Sequence, residues 1–307
     1  AGTSNDALSM GGYTPSSNLA TTVLFNGITW SNHKNLQVAR NGGIGSGLSS
    51  AALLAGGGNN PANACVEEFT CADYQIPVWS AGSDLNYARR YVCGAGTQNA
   101  GLAIAGRPQA PTSGGLTCTE EYNGGTWAIS AALSSARYAG AAGGTQNAAF
   151  YAGGENSPSC SNFSSTEEYN GTSWSPGGAL ITARRNLSGA GTQNAGLAIG
   201  GIGSSTCSDT EEYNGTSWSA GGALITGRHG GVSVGTQNSA VQWGGNPSKS
   251  NTEEYDGSSW ASSGALITNQ YIGGGAGDQN DAVAFMGEMS PESQTTATQN
   301  YNGLVWA

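Results

Sequence analysis

Lysine and charge of either sign are scarce in this sequence. Its 307 residues include only two lysines, Lys34 and Lys249, charged residues make up 10%, and the net charge is −10. Such a surface offers no basic footprint for nucleic-acid phosphates or anionic lipids, so we expect neither as a partner. The chain also lacks an apolar run near the ~20 residues of a membrane span, and its first residues lack the regions of a signal peptide. We therefore expect no membrane insertion.

Side chains suited to metal binding or proton transfer are equally few. The only histidines are His33 and His229, and no two of the six cysteines have the CxxC spacing of a zinc site. Copper sites and general acid–base chemistry need clusters of His, Tyr, Asp or Glu. The sequence therefore predicts no metal, no cofactor and no catalytic residue.

Glycine, by contrast, is abundant, with 51 residues in the chain. Each glycine inside a helix costs roughly 1 kcal/mol relative to alanine, so long helices are excluded. Short strands and tight turns remain, and we expect an all-β protein.

A repeat runs through the whole chain. The string TEEYNGTSW occurs at 166–174 and again at 210–218, and a second string, GTQNA, precedes several copies. Such self-similarity is typical of repeat architectures. Each copy ends in a tryptophan, and these are Trp30, Trp79, Trp127, Trp174, Trp218, Trp260 and Trp306.

Each copy reads as four short strands. A small-residue strand, the turn TQN, an apolar strand closed by a glycine pair, the strand TEEY and a strand starting at the tryptophan follow one another. The Asn170–Gly171 pair and its equivalents predict two-residue type I′ hairpin turns. Four antiparallel strands per copy describe a propeller blade, and Tyr and Trp are expected between blades. The sequence thus predicts a single seven-bladed β-propeller domain over residues 1–307.

The residues that punctuate each copy resemble the kelch family. Gly200 and Gly201 end the second strand, Tyr213 follows on the third, and Trp218 comes five residues later. A sialidase-type propeller would need Asp at the place that Tyr213 and its equivalents occupy. The residue strings GTQNA and EEYNGTSW of the repeat are also similar to kelch-type repeats in structural fibre proteins of bacterial viruses and in proteins of marine microbes. The resemblance implies a kelch-type propeller with four-stranded antiparallel blades.

Blade one is expected to lack a complete inner strand. Six first strands are complete, starting near Arg40, Arg89, Arg137, Arg184, Arg228 and Gln270, whereas blade one begins at the turn between its first two strands. An open edge of this kind can accept a strand. We therefore expect another segment, from a longer parent chain or from a neighbouring subunit, to complete it.

The repeated Glu pairs and arginines are interpreted as structural. A catalytic carboxylate pair occurs once, whereas pairs such as Glu167–Glu168 recur in five copies, and neighbouring strand residues face opposite sides. The arginines recur in step with them, so we expect hydrogen bonds within or between blades. His229 is interpreted as a residue at the start of an inner strand.

The loops between second and third strands vary far more than the turns on the opposite face. Variable loops on a rigid scaffold are where binding residues usually lie. The alternative is that they are solvated connectors without a ligand. The candidate contact residues are Tyr13, Arg107, Glu155, Asn162, Phe163, Lys249 and Glu292.

Two cysteine pairs occupy matching positions in neighbouring copies. Cys65 and Cys118 lie beside the Glu pairs, and Cys160 and Cys207 lie in matching loops. Both pairs are candidate disulfides between blades, which would imply an oxidising, extracellular setting.

Together these features favour a non-enzymatic module outside the cell or on a virion, such as a fibre scaffold or adhesin. Its expected partners are protein or glycan surfaces. Three alternatives stay open: a glycan-binding lectin, a sugar-acting oxidase or hydrolase with a polar cluster including His229 at the channel mouth, and a filament subunit that polymerises through blade one.

Overall fold

The fold is all-β, and it was obtained as a computed structural model. The structure describes residues 2–3, 6–14, 17–25, 30–33, 35–40, 44–48, 51–55, 66–70, 78–81, 83–108, 114–157, 161–246, 250–289 and 293–307. Within these ranges no segment forms a helix that is long and apolar enough to cross a membrane.

Short strands follow each other along every copy of the repeat. The first two copies contain β1 Gly2–Thr3, β2 Asp6–Thr14, β3 Ser17–Phe25, β4 Trp30–His33, β5 Ile44–Leu48, β6 Ala51–Ala55, β7 Val66–Thr70 and β8 Val78–Ala81. The next two contain β9 Arg89–Arg90, β10 Cys93–Thr97, β11 Ala100–Ile104, β12 Arg107–Pro108, β13 Thr119–Tyr122, β14 Trp127–Ile129, β15 Ala141–Thr145, β16 Ala148–Ala152, β17 Glu155–Asn156, β18 Ser161–Asn162, β19 Thr166–Tyr169 and β20 Trp174–Pro176. The last three contain β21 Ser188–Thr192, β22 Ala195–Ile199, β23 Thr210–Tyr213, β24 Trp218–Ala220, β25 Val232–Thr236, β26 Ser239–Trp243, β27 Thr252–Tyr255, β28 Trp260–Ser263, β29 Gly274–Asp278, β30 Asp281–Met289 and β31 Ser293–Tyr301.

These strands form six four-stranded antiparallel blades of a β-propeller, not seven. The blades are β1–β4, β5–β8, β10-β11-β13-β14, β15-β16-β19-β20, β21–β24 and β25–β28. The last copy forms the three-stranded sheet β29–β31, because its tryptophan makes only an isolated bridge between Tyr301 and Trp306. The prediction of seven four-stranded blades is wrong in this count, because the residues around Trp306 join the third strand through one isolated bridge and not through a ladder.

The inner strands contact one another in a closed cycle. The order is β1, β5, β10, β15, β21, β25 and β29, and β29 returns to β1. In the first blade, β1 pairs only Gly2 with Ala7 and Thr3 with Asp6, whereas β10 pairs five residues with β11. The inner strand of the first blade is thus the short one, as its sequence predicts. Whether another segment adds to this edge stays a prediction.

The inner strands begin later than the sequence indicates. β10 starts at Cys93 and β21 at Ser188, four residues after Arg89 and Arg184. The arginines therefore precede the inner strands and are buried instead of lying on them. Their side chains need several polar partners, which a strand facing an open channel does not supply.

The hairpins at the Asn-Gly pairs are longer than predicted. Tyr169 pairs with Trp174, which leaves a four-residue loop, and only Gly171 takes a positive φ, of 89°. The Oδ1 atom of Asn170 accepts hydrogen bonds from the backbone N–H groups of Thr172 and Ser173. Because the asparagine side chain closes the turn in this way, the type I′ geometry, which needs two positive φ angles, is not formed.

The core lies between the sheets, as the repeat predicts. Tyr213 and Trp218 of one blade are buried against Phe150 and Ala152 of the preceding blade. Tyrosine and tryptophan also stack within each copy, with the centroids of Tyr213 and Trp218 4.8 Å apart. Since each sheet is covered by its neighbours, the ring as a whole supplies the buried surface.

Val66→Thr is expected to stabilise the protein by about 1 kcal/mol. The indole N–H groups of Trp174 and Trp218 donate to the hydroxyls of Thr119 and Thr166 in the preceding blades, whereas Val66 occupies this place before Trp127. The Trp127 Nε1 is buried without a partner among the described residues. Urea unfolding measures the change.

The matched control for Val66→Thr is Thr119→Val. This substitution removes the acceptor of the Trp174 indole and is expected to destabilise by roughly 1–3 kcal/mol. A loss of stability in Val66→Thr would show that the valine methyl groups matter more than the missing hydrogen bond.

Candidate functional site

Five buried ion pairs each join the start of one copy of the repeat to the third strand of the same copy. Their arginine side chains are at most 1% exposed, and in four of them an Nη2–Oε1 distance of 2.5–3.0 Å joins the partners. The pairs are Arg40–Glu67, Arg89–Glu120, Arg137–Glu167, Arg184–Glu211 and Arg228–Glu253. Burial lowers the pKa of Arg184, and the facing Glu211 opposes this shift. The interpretation of the arginines and the first Glu of each pair as structural is confirmed.

The last copy replaces both charges together. Gln270 stands where the other copies have arginine, and Gln299 stands where they have glutamate, and both are buried. The Oε1 atom of Gln299 still accepts from the backbone N–H groups of Ile267 and Thr268, as the carboxylate of Glu211 does from Ile181 and Thr182. The backbone contacts of this position therefore survive without a buried charge.

The second Glu of four pairs binds the next copy. The hydroxyls of Tyr169, Tyr213, Tyr255 and Tyr301 donate to Glu121, Glu168, Glu212 and Glu254, respectively. Burial, and then the hydrogen bond to the carboxylate, raises the pKa of Tyr169, Tyr213 and Tyr255 to about 12. The repeated carboxylates are thus used to connect sheets.

The turn GTQN also connects sheets. The Nε2 amide of Gln193 donates to the carbonyls of Ala149 and Tyr169 in the preceding blade, and Gln237 repeats this contact one blade later. The residues that make the repeat recognisable in the sequence are therefore the residues that hold the ring together.

A cavity of about 560 Å³ lies among the inner strands. The described residues that line it are mainly Gly, Ala, Leu and Val, with Ser233 as the polar side chain and Trp127 as the aromatic one. Across the described ranges no group of three or more His, Cys, Asp and Glu could hold a metal ion. This lining can accommodate a small molecule but offers it few polar partners.

Chemically diverse side chains occur instead at the loop end of the inner strands. In four copies, the residue after the buried arginine bridges the residue after the glycine that closes the second strand, and we call these residues the rim. The bridges are Arg90–Arg107, Tyr138–Glu155, Arg185–Ile202 and His229–Asn246. Because the GTQN turns lie at the opposite strand ends, the rim belongs to the face with the variable loops.

On the third and fourth blades the rim combines arginine and tyrosine. The guanidinium of Arg107 lies 5.4 Å from the ring centroid of Tyr138, and that of Arg90 lies 5.5 Å from the ring of Tyr91. The two rings are 6.0 Å apart with an interplanar angle of 30°. Tyr138 is buried, whereas Tyr91 is 42% exposed. Burial, followed by the charge of Glu155, raises the pKa of the Tyr138 phenol.

Farther around the rim, polar contacts join neighbouring copies. Arg185 lies 3.4 Å from the Glu155 carboxylate and donates from Nη1 to Asn162 Oδ1 at 3.2 Å. The Asn162 amide donates to the carbonyls of Ile202 and Gly203. Asn162 is therefore held in place by its own side-chain contacts.

His229 lies on the rim, close to the position its sequence indicates. Its Nδ1 is 3.3 Å from the Thr206 hydroxyl, and its ring meets Tyr271 edge-on at 5.9 Å. The sugar-acting alternative, which needs a polar cluster around His229, stays a prediction.

The structure brings Arg107, Glu155 and Asn162 of the predicted contact residues together on the rim. The Phe163 ring packs 5.7 Å from the buried Arg137 guanidinium, so it supports the fold. Tyr13 belongs to β2 and pairs with Asn18, while Lys249 and Glu292 lie outside the described residues. Sequence reasoning missed Arg90, Tyr91, Tyr138 and Arg185. The sequence does contain a signal for these residues, since the residues after each buried arginine vary from copy to copy while the arginine repeats.

The predicted disulfides stay predictions. Cys93, Cys118 and Cys207 form no disulfide with one another, and the predicted partners Cys65 and Cys160 lie outside the described residues. Burial raises the pKa of the Cys118 thiol, which contacts the Arg89 guanidinium.

Comparison with known proteins identifies a fold and no family. No protein-family profile matches the chain, and no curated sequence is significantly similar to it. Among solved structures, one titled "Structure of YjhT" superposes with a TM-score of 0.70 at 12% identity, covering 86% of this chain and 95% of that chain. At this identity the similarity shows the β-propeller fold alone.

Proposed function

We propose that this chain is a kelch-type propeller that acts as a non-enzymatic recognition module outside the cell or on a virion surface, where it contacts glycans or proteins through the variable-loop face. The observation that carries this proposal is that repeated residues make the structural contacts, whereas variable residues meet on the rim. The repeated Arg and first Glu side chains pair within a copy, whereas the repeated Tyr, second Glu, Trp and Gln side chains make contacts between sheets. The rim is where arginine, tyrosine, histidine and carboxylate side chains meet outside those contacts.

The cavity between the inner strands supports a role without catalysis. Its described lining is dominated by Gly, Ala, Leu and Val, which neither transfer protons nor attack a substrate. A rigid ring of this kind is suited to presenting loops, as in other folds that bind through loops on a scaffold.

Self-association through the first blade is the second candidate. Its inner strand β1 has two residues, whereas β5 and β10 have five each. Backbone groups at such an edge can pair with an added strand, from a neighbouring subunit or from a longer parent chain.

A glycan shield on each face tests the proposal. In a host that attaches N-glycans, Ser204→Asn creates the acceptor Asn-Ser-Thr in an exposed loop of the variable face. Two natural acceptors, Asn170-Gly-Thr and Asn214-Gly-Thr, lie in turns of the opposite face and provide the matched control. All variants carry Ser164→Ala and Ser188→Ala, so that Asn162 and Asn186 are not acceptors. The measurements are binding to a saccharide array and the native mass of the particle.

We expect the shield at position 204 to abolish array binding or assembly at least tenfold more strongly than shields at Asn170 and Asn214. Loss of binding through the opposite-face shields alone would contradict the proposal. So would a protein that stays monomeric and binds no saccharide on the array.

A further inference from the structure

We propose that Arg90, Tyr91, Arg107 and Tyr138, which we call the arginine–tyrosine cluster, bind the anionic group and ring of an acidic saccharide. This inference rests on the proposed function and names its ligand class. The ligand chemistry is a pyranose ring that carries a carboxylate or a sulfate ester.

The distribution of arginine in the chain points to this cluster. The sequence has eight arginines, and five of them are buried in the ion pairs within copies. The other three are Arg90, Arg107 and Arg185, and all of them lie on the rim. In an acidic chain, every arginine outside the buried pairs is therefore located on one edge of one face.

The geometry of the cluster suits an anion next to a flat apolar surface. Arg90 and Arg107 are directly opposite each other on β9 and β12, so their guanidinium groups start from adjacent positions. Guanidinium binds carboxylate and sulfate oxygens with two parallel hydrogen bonds, which gives both strength and orientation. Tyr91 lies beside them, and its 42% exposed ring provides a surface for the C–H face of a sugar.

The backbone conformation at Tyr91 belongs to the repeat. The equivalent positions Tyr91, Ala139, Asn186, Gly230 and Ile272 all have φ between 50° and 63°. The fold therefore sets this conformation, while the residue type at the position changes from copy to copy. Tyr91 is the aromatic residue of this set, and its exposed ring stands beside the two rim arginines Arg90 and Arg107.

The charges around the cluster leave room for an anion. The charge of the Glu155 carboxylate acts on Tyr138, and the Arg185 guanidinium lies 3.4 Å from this carboxylate and balances its charge. Arg107 makes no ion pair among the described residues, and its guanidinium lies over the ring of Tyr138. The aromatic contact leaves the edges of its guanidinium fork to a ligand.

A saccharide is favoured over an acidic peptide because of the aromatic surface. The Tyr91 ring packs against Tyr138, with the ring centroids 6.0 Å apart and the planes tilted by 30°, and it stays 42% exposed, so it offers a supported aromatic surface to the solvent. A peptide would gain most from the backbone of a strand edge, whereas a sugar ring gains from a supported aromatic face beside a guanidinium fork.

The test measures binding of the full chain to oligogalacturonate, dextran sulfate, neutral dextran and poly-glutamate by calorimetry at two salt concentrations. We expect binding of one or both acidic saccharides, no binding of neutral dextran, and weaker binding at higher salt. Preference for oligogalacturonate identifies a carboxylate ligand, and preference for dextran sulfate identifies a sulfate ester.

Two variants assign the binding to the cluster. Tyr91→Asn, which imitates Asn186, is expected to weaken binding at least tenfold while leaving the melting temperature equal or higher. Arg107→Gln is expected to weaken it at least tenfold, and Arg107→Lys less, because lysine keeps the charge but not the fork. Ile272→Asn is the matched control, since Ile272 has φ 50° and 43% exposure at the same repeat position. It is expected to leave binding unchanged.

The proposal is overturned if no acidic saccharide binds, if Tyr91→Asn and Arg107→Gln bind as tightly as the natural chain, or if poly-glutamate binds better than both saccharides. The shield at position 204 distinguishes this failure from failure of the proposed function. If the shield abolishes binding or assembly and the cluster variants do not, the variable-loop face is retained as the recognition face and the arginine–tyrosine cluster is rejected as the binding site.

Discussion

Arg184→Gln is expected to lower the free energy of unfolding by about 3–5 kcal/mol, because it breaks a buried ion pair and leaves one charge without its partner. The Arg184 Nη1 donates to the carbonyls of Gly200 and Asp209, and Nη2 donates to Ala198 and to Glu211. Glutamine is too short to replace these bonds. Urea unfolding followed by tryptophan fluorescence measures the loss.

The last copy of the repeat provides the control for this prediction. Because Gln270 and Gln299 occupy the same two positions there, the double variant Arg184→Gln, Glu211→Gln copies a solution the fold already uses. We expect each single variant to be less stable than the natural chain and the double variant to lose at least about 1 kcal/mol less than the two losses added together. Strict additivity would show that Arg184 acts through its carbonyl contacts and that the charge pair contributes little.

Alkaline pH is expected to unfold the ring steeply between pH 10 and pH 12. The phenols of Tyr169, Tyr213 and Tyr255 have a pKa raised to about 12 by burial and by their hydrogen bonds to carboxylates. In the unfolded chain a tyrosine has a pKa near its ordinary value of about 10. The folded state therefore holds these protons more tightly, so its advantage is complete below pH 10 and disappears as pH rises to 12.

Tyr213→Phe separates this effect from general alkaline damage. At pH 8 the free energy of unfolding of the variant is expected to fall by roughly 1.5–3 kcal/mol, because the hydrogen bond from the Tyr213 hydroxyl to the charged Glu168 carboxylate is lost. Between pH 10 and pH 12 its stability is expected to fall less steeply than that of the natural chain, since one titrating phenol is gone. Tyr87→Phe is the control, because Tyr87 is 48% exposed. Equal slopes for all three proteins would contradict the assignment, and unfolding in urea at each pH measures them.

The sequence predicted those parts of the fold that repeat. Periodic Tyr, Trp and Glu residues indicated strands, their order and the contacts between sheets, and the structure confirms these for copies such as 184–218. The sequence predicted four strands for the last copy, which forms three. A pattern of residues does not determine whether a segment forms a ladder of hydrogen bonds with its neighbour. The sequence also placed the arginines on the inner strands, although these strands start four residues after the arginines. The spacing of the repeat is the same in both cases and does not distinguish them.

The candidate site was predicted in part. Arg107, Glu155 and Asn162 stand in loops whose variation is visible in the sequence, and the structure brings them to the rim. Their partners Tyr91, Tyr138 and Arg185 follow the repeated arginines. They were not predicted from the sequence, because residues next to a repeated structural residue were assigned the same structural role.

By itself, the sequence determined the repeat, the β-propeller architecture and the residues that connect its sheets, because these depend on local strand periodicity and on side chains that recur once per copy. Only the tertiary structure decided which variable side chains meet. Arg90 and Arg107 are 17 positions apart in the chain, and Tyr91 and Tyr138 belong to different blades, yet they form one cluster. The closure of the ring, which no local pattern encodes, places these residues side by side.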